Sequence, residues 1–214
     1  MKFAAILFDM DGVLIDSELI WQAHEAEFIR QFIPKFPLAM QQDLLGRSVR
    51  GIYDLLCERF PQETADIDFE DFMKDYIIFG TEQVYTHTSL LPGVRKYLDS
   101  LVGTIPLALV SSSPFAWINT TIARHGLESY FTCIVSGEEV RHAKPAPDIY
   151  LLAAERLKIA PDTAVVIEDS ANGILAAKAA NMAVYGIRNG FNDEQELSKA
   201  DKIFNDFSLF DLNA

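Results

Sequence analysis

Two carboxylates lie one residue apart in Phe8-Asp9-Met10-Asp11-Gly12-Val13. Side chains at i and i+2 of an extended segment point the same way, so Asp9 and Asp11 can converge on one small site. Like charges this close call for a cation or a proton between them. Oxygen ligands beside a phosphate would select Mg2+. Asp and Gly also cluster in ordinary turns, so the pair alone reads first as a turn or a solvated strand end. Company further along the chain favours chemistry. Val165-Val166-Ile167-Glu168-Asp169-Ser170 ends a second apolar run on two acids. Such acids can compensate a helix dipole. With Asp9 they can instead hold a hard cation, a backbone carbonyl near Asp11 adding a third oxygen. Ser111, with Ser112 beside it, joins an apolar run to a helix start, where free amides and a hydroxyl form an anion cradle. Ser113 reads as a helix cap. Lys144 precedes Pro145, which keeps it out of helical geometry. Its ammonium suits phosphate as a point charge.

These residues need a scaffold that brings them to one edge. Apolar runs at Phe3–Phe8, Ile105–Val110, Phe131–Val135, Ala164–Ile167 and Ala183–Ile187 predict strands, with a weaker one at Lys202–Phe204. Helical patterns fall between them at Val94–Leu101, Pro114–Arg124, Pro147–Leu157 and Ala171–Ala180. The alternation predicts an α/β fold with a doubly wound, Rossmann-like parallel sheet. Each candidate residue then follows a strand, at the edge where such sheets place ligands. Residues 17–85 break the rhythm and carry no convincing strand. Leu19, Ala23, Ala26, Ile29 and Ile33 predict one helical face there, ended by Pro34 and Pro37, with further helices at Val49–Phe60 and Phe69–Tyr85. The expected organisation is a core of residues 1–16 and 87–214 with an all-helical cap of residues 17–86 inserted after the first strand.

The 214 residues carry a formal charge of −13, which argues against nucleic acid or an anionic membrane as partner. An anionic substrate would need local cations and donors. Cys57 and Cys133 have no metal-ligand spacing and fit free thiols in a reducing compartment. Neither a signal peptide nor a membrane span is read from the apolar stretches, so a cytoplasmic protein is expected. A monomer or weak homodimer is the expected state, though no residue pattern specifies it.

In order along the chain, FDMDGVLIDSE, LALVSSSP, Lys144 within AKPAPDIY, and VIEDSANGILAAKAANM resemble the four motifs of the haloacid dehalogenase superfamily. The second Asp marks its phosphotransferase branch. The resemblance implies that Asp9 attacks phosphorus and that Asp11 is the general acid and base. It implies a magnesium site at Asp9, Asp169 and the Asp11 carbonyl, with Glu168 behind it. Ser111, Lys144 and nearby amides would hold the phosphate. The inserted segment looks like the helical cap of the β-phosphoglucomutase and phosphoglycolate phosphatase group, and Leu45-Gly46-Arg47-Ser48 resembles its specificity loop. Trp21 falls where the mutases carry a histidine, with His24 one turn later. Val49 falls where they carry a phosphate-binding arginine, flanked by Arg47 and Arg50. These departures favour a phosphatase acting on a small phosphorylated metabolite such as a sugar phosphate. A phosphosugar mutase is the alternative. A catalytically inactive domain that binds phosphate or a partner is a third reading, opposed by the retained Asp9, Asp11 and Asp169.

Overall fold

The apolar run that ends at Phe8 forms β1 (Ala5–Phe8), buried throughout. A computed structural model describes residues 2–44, 47–190, 192 and 197–209. In it β1 is joined by β2 (Leu107–Ser111), β3 (Cys133–Ser136), β4 (Ala164–Glu168), β5 (Ala183–Ile187) and β6 (Lys202–Phe204). All pairings are parallel, and the sheet order is β3-β2-β1-β4-β5-β6. The winding reverses between β1 and β4, which opens a crevice at their C-terminal ends. Phe8 pairs with Ile167, so Asp9 and the Glu168–Asp169 pair leave the sheet side by side.

Strand alternation divides the core. Ile6, Phe8, Leu109, Val165 and Ile167 pack to one face, with Val94 and Leu98 of α4 (Val94–Leu101). Ala5, Leu7, Ala108, Val110 and Val166 pack to the other. There they meet Ile149, Tyr150 and Ala153 of α6 (Asp148–Leu157) and Ile174 and Ala177 of α7 (Ala171–Ala179). β1, β2 and β4 are buried throughout, which is why these runs lack polar residues until their last positions.

Three local expectations are corrected. β2 begins at Leu107, because Pro106 has no N–H to give a ladder and only its carbonyl accepts, from Ile6. β3 begins at Cys133, and Phe131 instead packs edge-on against Phe8 at 6.4 Å. α5 (Phe115–His125) starts one residue after Pro114, which occupies the cap position without a side-chain bond, so Ser113 does not cap it.

Between β1 and β2 the chain forms α1 (Ser17–Arg30), α2 (Val49–Arg59), α3 (Phe69–Phe79) and a π-helical turn over Gly80–Tyr85. Among the described residues of this segment there is no strand. The predicted face of α1 is wrong at its start: Leu19 and Ala23 are exposed, and the buried stripe is Trp21, Glu25, Ala26, Phe28 and Ile29. Aromatic partners decide this. Trp21 stacks on Tyr76 at 4.9 Å, and Phe28 meets Phe72 and Tyr76 edge-on. Glu25 enters the core because the Tyr76 hydroxyl donates to it. The segment is seamed to the sheet through Trp117 of α5, whose Nε1 donates to the Ile77 carbonyl at 3.0 Å. No helix among the described residues is long and apolar enough to cross a membrane.

Candidate active site

Asp9 is the first residue beyond β1, and its N–H still bonds the Ile167 carbonyl at 3.0 Å. That bond fixes its backbone against β4. Its Oδ1 accepts from Lys144 Nζ at 2.7 Å. Among the described residues no donor reaches its other oxygen. Lys144 also donates to Glu168 Oε1 at 2.7 Å, and its ammonium lies 5.0 Å from the Tyr150 ring centre. Glu168 is fully buried. It accepts from the Tyr150 hydroxyl, from the N–H groups of Asp169 and Ser170, and from Ser170 Oγ, each at 2.9 Å.

One carboxylate oxygen from each of Asp9, Glu168 and Asp169 lies within 4.8 Å of the others. Two ionised carboxylates at that separation repel by roughly 3 kcal/mol at an effective dielectric constant of about 20. Burial pushes Asp9 up to about 8 against the pull of Lys144, with the charges of Glu168 and Asp11 adding to the rise. Burial and the charges of Glu168 and Asp9 drive Asp169 well above the usual carboxylate range. Glu168 goes the other way. Burial opposes its charge, but Lys144 and the donated hydrogen bonds hold it below its ordinary value. Three carboxylates thus face one ammonium, leaving two positive charges wanting. An all-oxygen set with that deficit fits a hard divalent cation.

Asp11 contributes no carboxylate to this group. Its Oδ1 accepts from Ser17 Oγ at 2.5 Å and from the Tyr85 hydroxyl at 3.0 Å, and its Oδ2 from Ser113 Oγ at 2.7 Å. Gly12 turns the chain at φ +72°, and a Cβ there would lie 2.1 Å from Asp169 Oδ2. The turn therefore needs glycine for both conformation and space. Ser111 is buried at the end of β2, and its Oγ accepts from the Ser113 N–H at 3.0 Å. Ser112 is exposed beside it. Among the described residues the N–H groups of Met10, Asp11 and Ser112, on the loops after β1 and β2, meet no acceptor.

The fold therefore gathers Asp9, Asp11, Ser111, Lys144, Glu168 and Asp169, taken from four separate stretches of sequence. The residues singled out on the helical segment are placed differently. Trp21 is buried, with Nε1 at 3.5 Å from the Tyr85 oxygen. His24 is half-exposed and faces Glu27 on its own helix at 3.7 Å. Arg47 is exposed and donates to the Asp43 carbonyl. Arg50 pairs with Asp54 at 3.0 Å, and its guanidinium lies over Phe69 at 4.4 Å. The two arginines and His24 are thus engaged with partners of their own segment. Gly46 lies outside the described residues.

Sequence reasoning missed Ser17, Tyr85, Tyr150, Asn189 and Asn192, and gave Ser113 the wrong task. Asn189 Nδ2 spans the Gly12 carbonyl (2.8 Å) and Asp169 Oδ2 (2.9 Å), and Asn192 Nδ2 holds the Asp169 carbonyl at 2.8 Å. The signal for this pair was available: polar residues directly after β5, at the same sheet edge as the acids. Ser17 could have been read from its closeness to Asp11. Tyr85 and Ser113 reach Asp11 across 74 and 102 residues, with no local mark.

Residues 6–187 match the model of the haloacid dehalogenase-like hydrolase family. The chain is 34% identical over 202 residues to a phosphorylated carbohydrates phosphatase of Thermotoga maritima, covering 92% of this chain and 90% of that protein. It is 32% identical to hexitol phosphatase B of Escherichia coli K12, over 85% of this chain and 82% of that one. A Thermotoga maritima crystal structure with a provisional β-phosphoglucomutase assignment superposes with a TM-score of 0.73 at 31% identity, covering 94% and 93% of the two chains. The motif order, the sheet topology and the gathered carboxylates agree with these matches, and the chain belongs to the haloacid dehalogenase-like hydrolases.

Proposed function

We propose that this protein is a Mg2+-dependent phosphatase of small phosphorylated metabolites, sugar phosphates among them, working through an aspartyl phosphate on Asp9. One observation carries the reading. A buried carboxylate with one oxygen free of donors sits beside a buried ammonium and within the same loop as a second, hydroxyl-held carboxylate. The named phosphatases to which the chain is similar support it.

In this mechanism the free oxygen of Asp9 attacks phosphorus as the bond to the leaving oxygen breaks. Asp11 gives its proton to that oxygen. Asp11 then takes a proton from water, which attacks phosphorus, releases inorganic phosphate and returns Asp9 to its starting form. Lys144 and the free amides after β1 and β2 face the phosphate oxygens, where charge spreads in the transition state. Asp9, Asp169 and the Asp11 carbonyl would hold Mg2+, oriented from behind by Glu168, Asn189 and Asn192. The ion would screen the substrate dianion from these carboxylates and polarise the phosphoryl group. Residues 17–86 act as a cap that excludes bulk water. The free thiols Cys57 and Cys133 fit a cytoplasmic setting.

Transfer to a second sugar hydroxyl is the competing fate, raised by the β-phosphoglucomutase-like structure. At the position where such mutases carry a histidine this chain has Trp21, which is enclosed among aromatic rings. That favours water as the acceptor. The test is a panel of hexitol, hexose and small organic phosphates, with phosphate release and isomer formation followed together. The expected result is phosphate release without isomer, abolished by Asp9→Asn with the fold kept. Retained turnover in Asp9→Asn would overturn the reading.

A further inference from the structure

The Asp11 carboxylate is gripped by hydroxyls from three places. Ser17 lies where the chain enters the helical segment, Tyr85 where it leaves, and Ser113 on the sheet side after β2. Tyr85 is the best anchored of them. It is fully buried, and its ring stacks on Trp117 at 4.7 Å and 19°. Its oxygen also lies 3.4 Å from Ser113 Oγ. The Trp21 indole reaches it only at 3.5 Å, the outer limit of a hydrogen bond. Orientation of the phenol therefore rests on the stack.

We propose that Tyr85, together with Ser113, positions Asp11 for proton transfer in this reaction, holding its carboxyl in line with the leaving oxygen. Two features argue for this over a purely packing role. The first is acceptor capacity. An ionised carboxylate offers about four lone-pair sites, and the three hydroxyls occupy three. One remains, on Oδ2, for the leaving oxygen or the attacking water. The second is the donor type. A hydroxyl can donate or accept, whereas an ammonium or an amide N–H only donates. A cage made only of hydroxyls holds the carboxyl in place without pairing it to a fixed charge. The protonated carboxyl gives its proton to the leaving oxygen as the phosphorus–oxygen bond breaks and the Asp9–phosphorus bond forms, and Tyr85 keeps its own proton throughout.

The proposal rests on the phosphatase reading, and leaving-group dependence separates the two. An alkyl phosphate needs its leaving oxygen protonated in the transition state, whereas p-nitrophenyl phosphate, with a weakly basic leaving group, needs this far less. kcat/KM reports phosphoryl transfer to Asp9 without the later hydrolysis step. For Tyr85→Phe, which keeps the ring and its stack, the expected loss in kcat/KM is greater on hexitol phosphate than on p-nitrophenyl phosphate by about tenfold, the order expected for one hydrogen bond to a charged group. In the Asp11→Asn background the same substitution should add almost nothing to that difference, because an amide has no proton to give the leaving oxygen. Ser113→Ala removes another donor from the same carboxylate and should give the same leaving-group signature. It carries the test should Tyr85→Phe not fold. Equal losses on both substrates, no loss on the alkyl phosphate, or full additivity with Asp11→Asn would overturn the proposal. Wild-type protein inactive on both substrates would instead overturn the phosphatase reading beneath it.

Discussion

A methyl group added at Gly173 would lie 1.6 Å from Glu168 Oε1, and this collision sets two effects of opposite sign against each other. Gly173 sits in the first turn of α7, where alanine would favour the helix by about 1 kcal/mol. Overpacking a buried site costs about 1–3 kcal/mol. The second effect wins here, because the colliding atom cannot swing away: Glu168 is held by Lys144, Tyr150 and the start of α7. Gly173→Ala should therefore lower the thermal midpoint. It should also weaken phosphatase activity, since displacing Glu168 frees Lys144 from its place beside Asp9. Thermal melts and kcat/KM on an aryl phosphate check both. A raised midpoint with full activity would mean that Glu168 yields easily. Asp11→Asn belongs to the same scale. It should leave the midpoint near wild type and slow turnover of an alkyl phosphate by roughly 10²–10⁴-fold, the usual range for a general acid–base group. An unchanged rate would take Asp11 out of proton transfer.

At the scale of elements, legibility followed locality. The strand ends that carry Asp9, Ser111 and Glu168–Asp169 were readable because a strand buried on both faces must be apolar until it reaches the edge. The helical segment was readable as helical for the lack of such runs. Which face of α1 is buried was not readable, since a count of aliphatic spacing chose Leu19 and Ala23. The winning contacts are aromatic, between Trp21, Phe28 and rings on α3 more than forty residues away. Ser113 was misread because a serine before a proline looks like a cap, and only the folded chain brings Asp11 to it. The seam between segment and sheet was equally hidden. The π-helical turn Gly80–Tyr85 presses a bare backbone against Trp117, and a Cβ at Gly80 would sit 2.6 Å from the indole ring. Gly80→Ala is expected to cost about 1–3 kcal/mol through overpacking. Trp117→Phe should recover part of that loss in the double mutant by vacating the space, a coupling that thermal melts of the four proteins can measure. Simple additivity would place the damage elsewhere.

For the molecule as a whole, the acidic crevice makes stability depend on pH in a direction opposite to that of an ordinary salt-bridged carboxylate. Asp9 is raised to about 8 and Asp169 is raised as well, so the folded state holds protons that the unfolded chain, with carboxylates near 4, has already released. The folded state binds more protons across that window, and stability therefore falls as pH rises from about 4 to about 8. Glu168 and Lys144 do not cancel this. The depressed Glu168 loses its contribution only on acidification, and the raised Lys144 only in strong alkali. Glu18 and Glu25, each raised to about 7 mainly by burial, act in the same direction as Asp9, and so does the self-repulsion of a chain at −13. A falling midpoint in excess chelator is thus expected but does not by itself locate the cause. The difference made by magnesium does. A cation that binds only deprotonated carboxylates stabilises the folded state more as pH rises. Adding Mg2+ at matched ionic strength should therefore lift the midpoint strongly near pH 8, weakly near pH 5, and nowhere in Asp169→Asn if that residue is a ligand. Midpoints with and without the ion that run parallel across this range would mean that the carboxylates of Asp9 and Asp169 are not where it binds.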